Sequence, residues 1–151
     1  WQGGFVADRN ANTATIHGGV RITHQPPASL EVTELESEEV VAYVTDSNAA
    51  PVRSPGSESD QLRVRLSRAT ATGAVWARSS GKELTADLLD YDAAGRMMRA
   101  SGSDNNDVIL FDPAKPTPIT AKLLEWDLAR DRVEVKKPGT IVVPADIVKS
   151  R

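Results

Sequence analysis

The chain has 151 residues, a net charge of −3 and no cysteine. That length accommodates one domain with a real core, and the charge gives no general electrostatic reason to bind nucleic acid or an anionic bilayer. The missing thiols exclude disulfides, thiol chemistry and Cys-based metal sites. Hydrophobic residues make up 40% of the chain but aromatic ones only 5%, which suits strands that bury Val, Ile, Leu and Ala. No run approaches the roughly 18 apolar residues of a membrane span. The chain starts at Trp1 rather than Met and is read as a processed form or an excised piece, with any signal or anchor outside it.

From the start, residues 1–12 hold few periodic apolar positions and read as an irregular lead-in or a short edge strand. From Thr13, TATIHGGVRIT alternates, with Ile16, Gly18, Val20 and Ile22 on one face and His17, Gly19 and Arg21 on the other. Its Gly18-Gly19 pair marks a bulge, a bend or a close strand approach. Pro26 and Pro27 end that strand. Leu30 to Val44 mixes helix-favouring Glu34, Glu36, Glu38 and Glu39 with strand-favouring Val32, Val40, Val41, Tyr43 and Val44. It is read as two strands joined at Glu36 to Glu39, with a helix as the alternative.

Residues 45–60 are rich in Ser, Asn, Pro and Gly and read as an exposed insertion. Beyond it, Leu62, Val64 and Leu66 point inward, and Thr70, Thr72, Ala74 and Trp76 continue that parity. Ser79-Ser-Gly-Lys82 turns into Leu84 to Gly102, and Ser101 to Asp107 turns into Val108 to Phe111. A Pro-rich connector then leads to Ile119, and Pro144 confines the last short strand to an edge or end.

Leu84 to Gly102 and Ile119 to Gly139 are two copies of one unit. Thr85 matches Thr120 at an offset of 35, and the same offset pairs Leu88 with Leu123, Leu89 with Leu124, Tyr91 with Trp126 and Asp92 with Asp127. Each copy reads as strand, turn and returning strand. Gly95 is expected to take the left-handed position of the first turn; Arg130 replaces it in the second, which should therefore close differently. Repeated strand units bury their apolar faces only by stacking, so the fold class is all-β and mostly antiparallel. The whole of 1–151 is one domain: first strands over 13–44, the insertion, a repeat-bearing body over 61–143 and a tail over 144–151.

ATIHGGVRIT, ATGAVWA and ELTADLLDYDAAGRMMRASG together resemble the OstA-like family, which includes the lipopolysaccharide transport proteins LptA and LptC and the N-terminal domain of LptD. The resemblance covers residues 13–143 outside the insertion. It implies an elongated, twisted, V-shaped antiparallel β-jelly-roll that is not an enzyme and needs no cofactor. It also implies a periplasmic location, free or membrane-anchored, with lipid or lipopolysaccharide acyl chains in an apolar trough. Related domains, or copies of the chain, would pair at its open strand edges. By parity the trough residues are Ile16, Val20, Ile22, Val64, Leu66, Trp76, Leu84, Leu88, Leu123, Val133 and Val135, with Arg21, Arg63, Arg65 and Arg96 at a head-group rim. A solid sandwich core, in a structural module of a larger envelope or surface protein, is the other reading of the same apolar residues.

Other constellations carry little chemistry. His17 and His24 lack metal-ligand spacing. Asp104 to Asp107 holds oxygen ligands but lacks the alternation and distal Glu of a calcium loop, and reads as a turn. Asp90 and Asp92 are placed like a hydrolase pair, but their repeat partners Glu125 and Asp127 favour a structural role. No serine sits in a nucleophile elbow.

Overall fold

The computed structural model describes residues 3–24, 32–46 and 64–139. They form nine strands and no helix: β1 (Gly4–Asp8), β2 (Thr13–His24), β3 (Thr33–Asp46), β4 (Val64–Ser79), β5 (Lys82–Asp92), β6 (Met97–Ser101), β7 (Val108–Phe111), β8 (Ile119–Asp127) and β9 (Arg132–Pro138). All pairings are antiparallel within one sheet. The lead-in contains the edge strand β1. The acidic 34–39 stretch neither breaks nor turns helical: β3 runs through it as one strand, with Glu34, Leu35, Glu36 and Glu39 each paired to both β2 and β4. The 45–60 insertion, beyond Asp46, and the tail with Pro144 lie outside the described residues.

A line of irregularities crosses the sheet. The register shifts between His17 and Val20, between Glu36 and Glu39, between Thr72 and Val75, and between Ala121 and Leu123. Gly18, Gly19, Gly73 and Ala74, which lie on this line, all have positive φ, so the glycines mark bulges that re-aim the strands. At the same level β5 and β8 both exchange partners: their residues pair with β6 on one side of the line and with β7 on the other.

The sheet doubles back here. Lys82 and Asp92 lie at opposite ends of β5, about 33 Å apart in a straight strand. Asp127 is level with Asp92, both pairing with Met97, and the β8–β9 turn extends beyond it. Yet the Lys82 ammonium makes an ion pair with Asp131 in that turn.

Doubling back buries one face. On one side of the line Ile22, Leu35, Ala77, Leu84, Leu110 and Ile119 form an inward row. On the other side, Val40, Ala71, Leu89, Ala100 and Leu124 do so. These rows belong to a single core cluster in which Leu84, Leu110, Leu124 and Trp126 are 0% exposed. The many Ala in it allow close approach of the layers.

The turns follow one rule. Asp8, Asp92 and Asp127 each accept a backbone N–H two residues ahead, from Asn10, Ala94 and Ala129. Asn12, Arg96 and Asp131, each four residues past its Asp, take φ of 51°, 49° and 49°. The two repeat turns therefore close alike, contrary to the expectation from Arg130. Gly95 is not the left-handed residue: the aspartate fixes the turn, and the position after Gly95 carries the positive φ. The β1–β2 hairpin is a third instance that the sequence comparison missed. Ser80 and Gly81, at φ 52° and 76°, make the two-residue turn joining β4 to β5, as expected.

Candidate functional site

The apolar face places the expected trough residues in three groups. Val20 and Leu84 are buried in the core, and Ile16, Ile22 and Val133 pack half-buried against it. Leu66 and Val135 also belong to this face, opposite Val44 and Leu124, but are 39% and 41% exposed. Val64 pairs with Asp46 at the start of β4. Trp76, Leu88 and Leu123 lie on the opposite face, paired with Thr85, Thr72 and Ser101. Alternation read straight through fails for a physical reason. In β5 the buried positions run Leu84, Ala86, then Leu89, and in β8 Ala121, then Leu124, because the bulge line inserts a phase change at Asp87 and Lys122. In β4 the extra residue at Ser67 shifts the phase, so Ala69, Ala71, Val75 and Ala77 are buried instead of Thr70, Thr72 and Trp76.

Of the expected rim arginines, the two with described side chains, Arg21 and Arg96, lie on different elements. Arg21 pairs with Glu36 at 3.0 Å on the outer face. Arg96 is exposed in its turn, where its carbonyl accepts the Leu128 N–H at 2.9 Å. Arg65 sits opposite Thr45 in β4, and Arg63 lies outside the described residues.

Among the described residues the sheet has two open edges. β1 pairs only with β2 and β9 only with β8. β9 presents Arg132, Glu134, Lys136 and Lys137 and ends at Pro138, the kind of charged, proline-closed edge that resists further pairing. β1 has no such guard: Phe5, 62% exposed, continues the inner row beside Ile16, and Val6, 58% exposed, faces outward beside Thr15.

Asp90 and Asp92 are occupied structurally. Asp90 accepts from Arg68 at 3.0 Å and from the Thr70 hydroxyl at 2.7 Å, and Asp92 holds its turn. Their repeat partners match: Glu125 pairs with Arg99 at 3.4 Å and Lys136 at 3.2 Å, and Asp127 holds the second turn. In Asp127 the Arg130 guanidinium, followed by the backbone N–H groups of Arg130 and Ala129, keeps the carboxyl below its ordinary range.

The 103–107 loop is the best organised polar feature, and sequence reasoning passed it over as a plain turn. From β8, the Lys122 ammonium donates to the carbonyls of Ser103, Asp104 and Asn106 at 2.9, 3.1 and 3.0 Å and pairs with Asp107 at 2.7 Å. From β5, Asp87 accepts the Ser103 N–H at 2.7 Å and the Asn106 amide at 3.3 Å. Hydrogen bonding from Ser103, side chain first and backbone second, lowers the Asp87 pKa. Carbonyls that would wrap a cation are turned onto a built-in ammonium. The signal was present in the repeat: Asp87 and Lys122 are related by the offset of 35 yet carry opposite charge.

Among the described residues no three His, Asp or Glu side chains converge to hold a metal ion, and no helix is long and apolar enough to cross a membrane. Fold and site together define an all-β domain: one antiparallel sheet, folded over its apolar face, with two free edges among the described residues. No protein-family model matches the chain, and no curated protein matches it in sequence.

Proposed function

We propose that this chain is a non-enzymatic cell-envelope domain of the OstA-like, twisted jelly-roll kind, binding acyl chains of lipid or lipopolysaccharide along its inner face. It joins related domains across the periplasm by strand pairing at its edges. The supporting observation is that the inner face continues past the packed centre to apolar residues that remain exposed, Phe5 in β1, Leu66 in β4 and Val135 in β9. Each methylene of an acyl chain covered there contributes about 0.8 kcal/mol. The unguarded β1 edge suits strand addition, in which main-chain hydrogen bonds supply the affinity.

A second reading, a structural module with a filled core, is favoured by the 0% exposure of Leu84, Leu110, Leu124 and Trp126. Site-specific photo-crosslinking separates the two. A probe at Val135 and, as an outer-face control, one at Leu88 are incubated with solubilised lipopolysaccharide. Adducts at Val135 alone support the lipid-binding reading. Adducts at neither position in the folded protein leave the structural module, and adducts at both mean non-specific adsorption and refute a defined trough.

A further inference from the structure

On the outer face, away from the apolar side considered above, the bulge line and the 103–107 loop border an open cleft of about 640 Å³, within the range of ligand sites. Trp76, Thr85, Ile109 and Thr120 form its floor as one cross-strand row over β4, β5, β7 and β8, and Asp104 and Asn105 overhang it from the loop. We propose that this cleft binds a neutral saccharide, with Trp76 as the stacking platform.

Charge narrows the ligand first. Among the described residues, Asp87, Asp104 and Asp107 line the cleft against a single cation, Lys122, and that ammonium is committed to three carbonyls and Asp107. The excess negative charge opposes phosphates, carboxylates and other anions. Hydrogen-bonding capacity narrows it further. Asp87 is engaged by Ser103 and Asn106. Among the described residues the side chains of Trp76, Thr85, Thr120, Asp104 and Asn105 make no hydrogen bond. This set mixes a donor-only indole, hydroxyls and an amide that do both, and one acceptor-only carboxylate. An ammonium ligand, which only donates, would match Asp104 and leave the indole and amide N–H groups unserved. Sugar hydroxyls both donate and accept, so they match the whole set. The C–H face of a pyranose also complements the negative face of the indole ring, while Ile109 adds apolar contact. The extra residue at Ser67 makes this possible: it puts Trp76 out of the core phase, and the Asp87 and Lys122 clamps hold the loop above it.

The test is NMR titration of the intact 151-residue chain, following the Trp76 indole N–H with the buried Trp126 as internal control. Cellobiose, maltose and N,N′-diacetylchitobiose are the saccharide probes; methylammonium chloride and inorganic phosphate are the charged ones. At least one saccharide is expected to shift Trp76 saturably. Trp76→Ala should abolish binding, read by saturation transfer to the sugar. Asp104→Ala and Asn105→Ala, both at exposed loop positions and therefore expected to fold, should each weaken it about tenfold. The proposal is overturned if none of the three saccharides shifts Trp76, if the loop variants bind as tightly as the parent, or if methylammonium or phosphate binds in their place.

Discussion

Gly73 offers a direct test of the fold-over line. Its φ is +78°, and a Cβ placed on it would lie 2.9 Å from the Glu38 Cβ and closer still to the Glu38 carboxylate. Glu38 falls between Glu36, opposite Trp76, and Glu39, opposite Thr72, so its side chain crosses the bulge where Gly73 leaves room. Gly73→Ala therefore incurs two costs. Left-handed backbone costs an alanine roughly 1–2 kcal/mol, partly offset by about 0.4–1 kcal/mol from the stiffer unfolded chain. Forcing a methyl against Glu38 adds about 1–3 kcal/mol. Gly19 supplies the control, since its φ is +81° but nothing lies within 4 Å of its virtual Cβ. Gly19→Ala should cost about 1 kcal/mol and lower the melting midpoint roughly 2–4 °C, and Gly73→Ala about 3 kcal/mol and roughly 6–12 °C. Urea unfolding followed by circular dichroism gives both values, with unchanged m confirming that the folded state is kept. Adding Glu38→Ala to Gly73→Ala should recover about 1 kcal/mol as a coupling energy. Equal losses at Gly19 and Gly73, or no coupling to Glu38, would refute the packing assigned to this line.

Lys122→Met removes the ammonium from three loop carbonyls and from Asp107; because the loop is exposed, water replaces part of the loss, and the expected cost is about 2 kcal/mol. Amide hydrogen exchange should rise across 103–107 and stay unchanged at the Asp92 turn, and uniform acceleration would mean that Lys122 supports the whole sheet instead. Asp127→Asn keeps an oxygen for the Ala129 and Arg130 N–H groups but loses the Arg130 ion pair. Since the folded pKa of Asp127 lies below its ordinary 3.8, the carboxylate adds stability above that pH and loses it as the pH falls through the folded value. The parent should therefore be more stable than Asp127→Asn near neutrality and equal to it in strong acid; a gap that persists in acid would place the contribution elsewhere.

The strand content, the β4–β5 turn and the repeat were legible because each is local: alternation, a Ser-Gly pair and an offset of 35 need no knowledge of neighbours. Face assignment was legible only where the irregularities preserve the alternation. Val20 and Leu84 were placed correctly on the buried face, whereas Leu88, Leu123 and Trp76 were not. Gly18-Gly19 announced an irregularity, but nothing local says whether a bulge preserves or inverts the phase of the following residues. In β2, Ile16 and Val20 keep one parity across it, while in β5 Ala86 and Leu89 change it. The outcome depends on which strand carries the extra residue, a property of the pair. The loop clamp was hidden for a similar reason, since Lys122 reaches residues 16 to 19 positions earlier.

The repeat also explains why its copies diverge at particular positions and not at others. Positions that meet the same surroundings in both copies stay alike: Asp92 and Asp127 in the turns, Leu89 and Leu124 in the core. Tyr91 and Trp126 are equivalent by offset, yet Tyr91 is half-buried while Trp126 is 0% exposed and donates its indole N–H to Asp131 at 3.1 Å. Asp131 in turn receives Lys82 from the far end of the folded sheet, whereas its counterpart Arg96 is exposed. The second copy has therefore specialised its turn for closure, with a larger aromatic beneath it and an acid to meet the returning lysine. Asp87 and Lys122 diverge by the same logic, because they approach one loop from opposite sides and a shared charge would leave either its N–H groups or its carbonyls unserved. Similarity at the turns and difference at the contacts are what two copies of one hairpin require once the sheet that contains them has folded over.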